Sequence, residues 1–232
     1  VEQGPSPRAI AERCLCLAAV FVRGSIESYI GDTAQVSGTD VQEADQVRQW
    51  LDATGLGETP MSPLERELMA RPLGTWAAAE MIDVTWRVEA MGVLLWSLGA
   101  IEFLPAFDCE FDPQSYASLV PLFGSHQSFV DGARLRPSAF LEGALEVADL
   151  WYWRACADSA PPELIAQAAE HGAARHFFPA PLEGDFPAYG KPFAQLGPAE
   201  RRRVASIALE RRHTLRWVCG VVDSWDHSLV LA

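Results

Sequence analysis

The run from Thr85 to Ile101 constrains the fold more than any other part of this 232-residue chain. From Ala90 to Ile101 it carries no charge, and its apolar residues fall on every side of a helical wheel. A helix that is apolar all round is either the centre of a core or a membrane span. This dry segment rises only about 18 Å, short of the ~30 Å hydrocarbon layer of a bilayer. Glu80, Asp83, Arg87 and Glu89, just upstream, are also expensive in lipid. The stretch therefore reads as the buried central helix of an all-α protein. It is expected to run from about Thr75 to Ile101, with Trp86, Leu94, Trp96 and Leu98 almost fully buried.

Composition supports a large core, since 49% of the residues are apolar and there are 8 Trp and 11 Phe. The formal net charge of -13, with Lys191 the only lysine, makes nucleic acid and anionic membranes poor partners. The five Cys (14, 16, 109, 156 and 219) fit no metal spacing and read as small buried hydrophobes in a reducing, cytoplasmic setting. Val1 to Pro7 carries no apolar run of the kind a secretory signal needs, and the sequence does not begin with Met.

Helix signals recur along the chain. Ser6-Pro7 opens a first helix with the stripe Ile10, Cys14, Leu17 and Phe21; Gly24 weakens its end, and Gly31 to Gly38 reads as a loop. Asp40 to Glu43 reads as a capping box for a helix that Gly55 stops, and Ser62-Pro63-Leu64-Glu65 as another for a helix to about Ala70. One short helix is expected between Pro113 and Leu122, and a polar loop from Gly124 to Arg136. A helix from Pro137 carries the stripe Phe140, Ala144, Val147, Trp151 and Ala155, and Pro161-Pro162 opens one that Gly172 ends. Residues 173–197, rich in Pro and aromatics, form an irregular loop expected to pack on the surface. A last helix spans Pro198 to Cys219 with Gly220 as its cap, and Val218 to Val222 holds the one residual strand pattern. The sum is a single globular helical domain, 1–232, of about seven or eight helices.

Few residues suggest chemistry. Glu210 and His213 have the spacing of a di-iron ligand pair, but such sites need a second pair that is missing, so a surface or structural His213 is favoured. His171 and His176 read as solvated, Ser97 and Ser206 lack a nucleophile elbow, and Gly184 to Gly190 is not a phosphate loop. Asp108, Glu110 and Asp112 lack the closing ligands of a calcium loop. No cofactor and no metal site is implied. The sharper signal is misplaced charge: Glu89 shares a stripe with Ile82, Trp86, Val93 and Trp96, and Arg211 with Val204, Ile207, Ala208, Leu215 and Val218. Buried charges must be paired, so the two are expected to meet, with Arg87 and Glu210 extending the pair. That group is either a structural ion-pair network or a polar pocket for a small molecule.

The same residues carry a resemblance. The chain resembles the uncharacterised bacterial family catalogued as domain of unknown function 4272, through Ala11 to Ala18 with Arg13, Ser62 to Glu65, Trp86 to Glu89, and Leu94 to Gly99. Leu135-Arg136, Asp149 to Tyr152, Glu210 to Trp217 and Trp225-Asp226 continue it, so that it runs from about Ser6 to Asp226. Family members end in Asp-Thr after the last Trp segment, whereas this chain ends Ser228 to Ala232 and so lacks that Asp. The resemblance supports the fold and brings no activity. Two functional readings follow: a non-enzymatic helical module that binds a protein partner or itself, or a small-molecule binder or enzyme built around Arg87, Glu89, Glu210 and Arg211.

Overall fold

The computed structural model describes residues 4–116, 118–175 and 178–226. Ser6 caps helix α1 (Pro7–Thr33) by accepting from the Ala9 N–H, as its Ser-Pro start predicts. α1 continues through Gly24 and Gly31, so the expected loop shrinks to a short turn. Gly24 is a packing gap rather than a helix end: a Cβ there would stand 2.6 Å from Val84 Cγ1. Helix α2 (Gly38–Thr54) starts earlier than expected, because Ser37 is the cap and Asp40 the third residue of a reciprocal box. Helix α3 (Pro63–Ala70) has the anticipated Ser62/Glu65 box.

Helix α4 (Ala78–Ser97) contains the uncharged stretch. It is shorter at both ends than the pattern implies. Glu80 accepts from the Ala77 N–H at its start, and Gly99 takes up a left-handed φ of 74° after its end. Leu94 and Trp96 are buried, whereas Trp86 and Leu98 are only half-buried. Ile82, placed on the Glu89 stripe by spacing, is 59% exposed because the first half of α4 has neighbours on one side only.

Beyond α4 come α5 (Pro113–Tyr116), α6 (His126–Gly132) inside the expected polar loop, α7 (Ser138–Cys156), α8 (Pro162–Ala173) and α9 (Pro198–Val218). With the short α5 and α6, nine helices stand among the described residues, and the fold is all-α. The helix from Pro137 buries Leu141, Ala144, Val147, Ala148 and Trp151, and Phe140 is exposed. Val218 to Val222 forms no strand: α9 ends there, and Gly220 at φ 69° follows the helix.

The centre is shared. α1 lies against α4, α2 and α6, α4 lies against α9, and α9 lies against α7. The α7 helix thus takes α9 as its main partner, one layer out from α4. Burial follows this order: residues 10, 11 and 13–20 of α1 and 88–97 of α4 are buried without a solvent face. Cys14 and Cys16 therefore both sit in the core, where burial pushes the Cys16 thiol up to about 12; Cys109 and Cys156, by contrast, are exposed. No helix among the described residues is long and apolar enough to cross a membrane.

The 173–197 segment has more order than its composition suggests. Two turns of the mirror-image hairpin kind, Glu183-Gly184 and Tyr189-Gly190, place all four residues at φ 53–76°. The second joins strands β1 (Pro187–Ala188) and β2 (Lys191–Pro192), paired antiparallel. Phe178, Phe186 and Phe193 are buried, with Phe186 edge-on to Trp151 at 5.2 Å. The aromatics dock the segment on α7, as expected of a loop that packs.

Candidate functional site

Glu89 and Arg211 meet as their stripes require. Arg211 Nε donates to Glu89 Oε2 at 2.8 Å, and each residue is 1% exposed. The other guanidinium nitrogens donate to the carbonyls of Pro105 (2.5 Å), Ala106 (3.3 Å) and Cys109 (2.8 Å). Glu89 Oε1 accepts from the Phe111 N–H at 2.7 Å. The guanidinium carbon stands 5.0 Å from the ring centres of both Phe107 and Phe111. Phe111 in turn covers Gly92, where a Cβ would approach its ring to 2.5 Å. The pair is a post around which residues 105–111 are wound. Burial pushes the Glu89 carboxyl above its ordinary range, against the pull of Arg211 and the Phe111 N–H.

Arg87 and Glu210 form a separate pair. Arg87 Nη1 donates to both carboxylate oxygens of Glu210, at 2.9 and 3.2 Å. Arg87 lies two positions before Glu89 on α4, and Glu210 one position before Arg211 on α9, which turns them toward another side of the helices. There they line a groove of about 420 Å³ bounded by α1, α3, α4, α9 and Asp226. Val20, Leu68, Val84 and Leu209 give it an apolar floor, and Leu64, carboxylates and two guanidiniums complete the lining. Burial raises the Glu210 carboxyl above its usual range; Arg87 opposes this, and Asp83 and Glu89 add to it. The four residues expected at the site thus divide into a pair buried to 1% exposure and a pair that lines an open groove.

Three further parts of the wall are not marked by the stripe argument. Arg13 pairs with Glu65 inside the protein and donates to the Pro60 carbonyl at 2.7 Å. Arg71 pairs with Glu80 at 2.6 Å. Asp226 Oδ2 accepts from the Leu64 N–H at 3.3 Å, joining the C-terminal segment to the start of α3. Arg13 carries a usable signal, since it is a charge inside a run that is apolar on all sides. Arg71 and Asp226 sit in irregular segments, where no periodicity predicts which way a side chain points.

His213 is the structural histidine of the two alternatives. It is 2% exposed and packs edge-on against Trp225, with ring centres 4.7 Å apart, while Arg13 lies 4.9 Å from the Trp225 ring centre. Burial, with Arg87 and Arg13 nearby, lowers its pKa to about 3. The unfolded chain then takes up the proton first, so stability falls as pH drops below about 6.5 and continues to fall toward 3. One such group contributes a slope of at most ~1.4 kcal/mol per pH unit. Glu89 and Glu210, held high by burial, act in the opposite sense, so the parent slope alone is not diagnostic. Urea unfolding from pH 4.5 to 7.5 should show a gentler acid loss for His213→Gln than for the parent. Parallel curves would show that His213 is not neutral in the fold.

The remaining polar residues have structural or surface roles. Asp108 accepts from the Tyr189 N–H (2.5 Å), Glu110 pairs with Arg203, and Asp112 caps Gln114 and Ser115. Ser97 donates to the Val93 carbonyl, and His171 meets Glu146 at the surface. His176 and the chain end at Ser228 to Ala232 lie outside the described residues.

No curated protein and no solved structure matches the chain. The family model described as domain of unknown function (DUF4272) matches residues 2–172, which includes Arg13, Glu65, Arg87 and Glu89 but stops short of Glu210, Arg211 and Asp226. With well over half of its length matched, the chain belongs to the DUF4272 family.

Proposed function

We propose that this protein is a non-enzymatic helical binding module of the cytoplasm, and that it binds its ligand in the groove lined by Arg87 and Glu210. One observation carries the reading: charged side chains from three helices and a C-terminal segment, far apart in sequence, converge on one groove with an apolar floor. Its volume of about 420 Å³ is within the range of small-molecule sites. The sealed Glu89–Arg211 pair supports a scaffold role for the other half of the charged group. Among the described residues that line the groove there is no Ser, Thr, Cys, His, Lys or Tyr, which argues against attack by a hydroxyl, thiol, amine or imidazole there.

Leu209→Trp is the direct test, since a half-buried floor residue replaced by an indole fills the groove. In a metabolite thermal-shift screen, a ligand at a hundredfold excess over its Kd adds about 2.7 kcal/mol and raises the melting temperature by several degrees. The parent should respond to a hit, the Leu209→Trp protein should not, and the hit should be recovered unchanged. Equal responses from both proteins, or conversion of the hit to a product, would overturn the proposal.

A further inference from the structure

On the side of α4 away from the groove, α1 and the first half of α4 share an outer face that stands open to solvent. Phe21, Ser25 and Tyr29 follow one another along α1 at four-residue spacing, and Ile82, Thr85 and Trp86 stand beside them on α4. Tyr29 and Ile82 are 58% and 59% exposed. The two hydroxyls are spent on their own helices: Ser25 Oγ donates to the Phe21 carbonyl and Thr85 Oγ1 to the Met81 carbonyl, both at 3.0 Å. Glu80, Asp83 and Arg87 turn to the opposite side of α4, into the groove. Asp32 and Glu110, the latter paired with Arg203, stand only at the two ends of the face. The face carries both a hollow and a projection. Phe21, Ile82, Thr85, Trp86, Phe111 and Pro113 line a depression of about 310 Å³. The exposed Tyr29 ring stands two helical turns further along α1, roughly 12 Å away.

We propose that two copies of the chain pair through this face, with Tyr29 of each copy seated in the hollow of the other. A projection and a hollow on one surface satisfy each other only when the contact is isologous, as in a two-fold dimer. The axis then falls midway between them, at Ser25, whose small side chain lets the two α1 helices cross closely. Charge selects a second copy as the occupant. A chain of net charge -13 repels its own copy over most of its surface, and an isologous contact brings like charges together wherever they lie near the axis. This uncharged face avoids that penalty. A basic partner is drawn instead to the carboxylates on the other side of α4, and an anionic membrane is repelled by the same net charge. The aromatic anchors, Tyr29 and Trp86, are of the kind that dominates interface energies.

Sedimentation equilibrium tests this. The parent should show a monomer–dimer equilibrium that tightens as NaCl rises from about 0.05 M to about 0.5 M, since salt screens the repulsion between the acidic copies. Ile82→Glu and Tyr29→Ser should each weaken the dimer about tenfold. Phe103→Glu adds the same charge as Ile82→Glu at a residue 73% exposed but outside the face, and should change the association by no more than about twofold. All three positions are more than half exposed, so the fold is kept. Leu209→Trp should dimerise like the parent, because it alters only the groove on the other side of α4. A parent that stays monomeric at every salt, including one that binds uncharged lipid vesicles instead, would overturn the assignment. Association that weakens with salt, or that Ile82→Glu and Phe103→Glu weaken equally, would do the same, and a Tyr29→Ser dimer as tight as the parent would refute the seating of Tyr29 in the hollow.

Discussion

Arg211→Met should lower the free energy of unfolding by roughly 3–5 kcal/mol, the range for removing one partner of a buried ion pair. The loss has two sources. Glu89 is left charged in a dry interior, and the carbonyls of Pro105, Ala106 and Cys109 lose their donor. A second change separates them. Glu89→Leu/Arg211→Met removes the stranded charge but leaves those carbonyls and the Phe111 N–H without partners. The double variant should therefore recover only part of the loss, in contrast to an ion pair with no backbone obligations, which apolar residues replace almost without cost. Urea unfolding of the parent, the single and the double measures this. A double variant no more stable than Arg211→Met would show that the stranded carboxylate is not the main cost.

Arg154→Met should destabilise by roughly 3 kcal/mol for the same reason, but its effect should be local. Arg154 holds Asp185 through two hydrogen bonds, at 2.7 and 2.9 Å, and Asp185 also accepts from the N–H groups of Phe186 and Ala194. One carboxylate thus ties α7 to both arms of the hairpin segment. Burial alone would raise the Asp185 carboxyl; Arg154 and the two N–H groups outweigh it and hold the carboxyl below its ordinary 3.8. Its contribution is complete above that value and lost as pH falls through the lower folded one. Hydrogen exchange at pH 7 should show residues 182–195 of Arg154→Met opening ahead of α1 and α4. Uniform acceleration across the chain would mean instead that the segment is part of the global folding unit.

The helices were legible where capping and periodicity agree. Ser6-Pro7 and Ser62-Pro63-Leu64-Glu65 mark true starts, and the uncharged run from Ala90 marks the true centre. The misreadings have physical causes. Gly24 looks like a helix end until Val84 is seen against it, and Ile82 keeps the period of a core residue where α4 has already left the core. α6 is too short for periodicity to register. Of the site, the Glu89–Arg211 contact was legible because a charge on an apolar stripe demands a partner. Arg154, on the stripe of Val147 and Trp151, carries the same signal. The groove was not legible, because it depends on how α3 and the segment around Asp226 close over α1, α4 and α9. That is a matter of tertiary docking, which local pattern does not encode.

The division of the charged residues into a buried post and a groove-lining pair is tested most directly by solvent exchange of the arginine Nε–H groups, read by NMR on the Arg-labelled protein. The Nε–H of Arg211, bonded to Glu89, should exchange far more slowly than that of Arg87, which lines the groove. Equal exchange rates at the two would contradict the account.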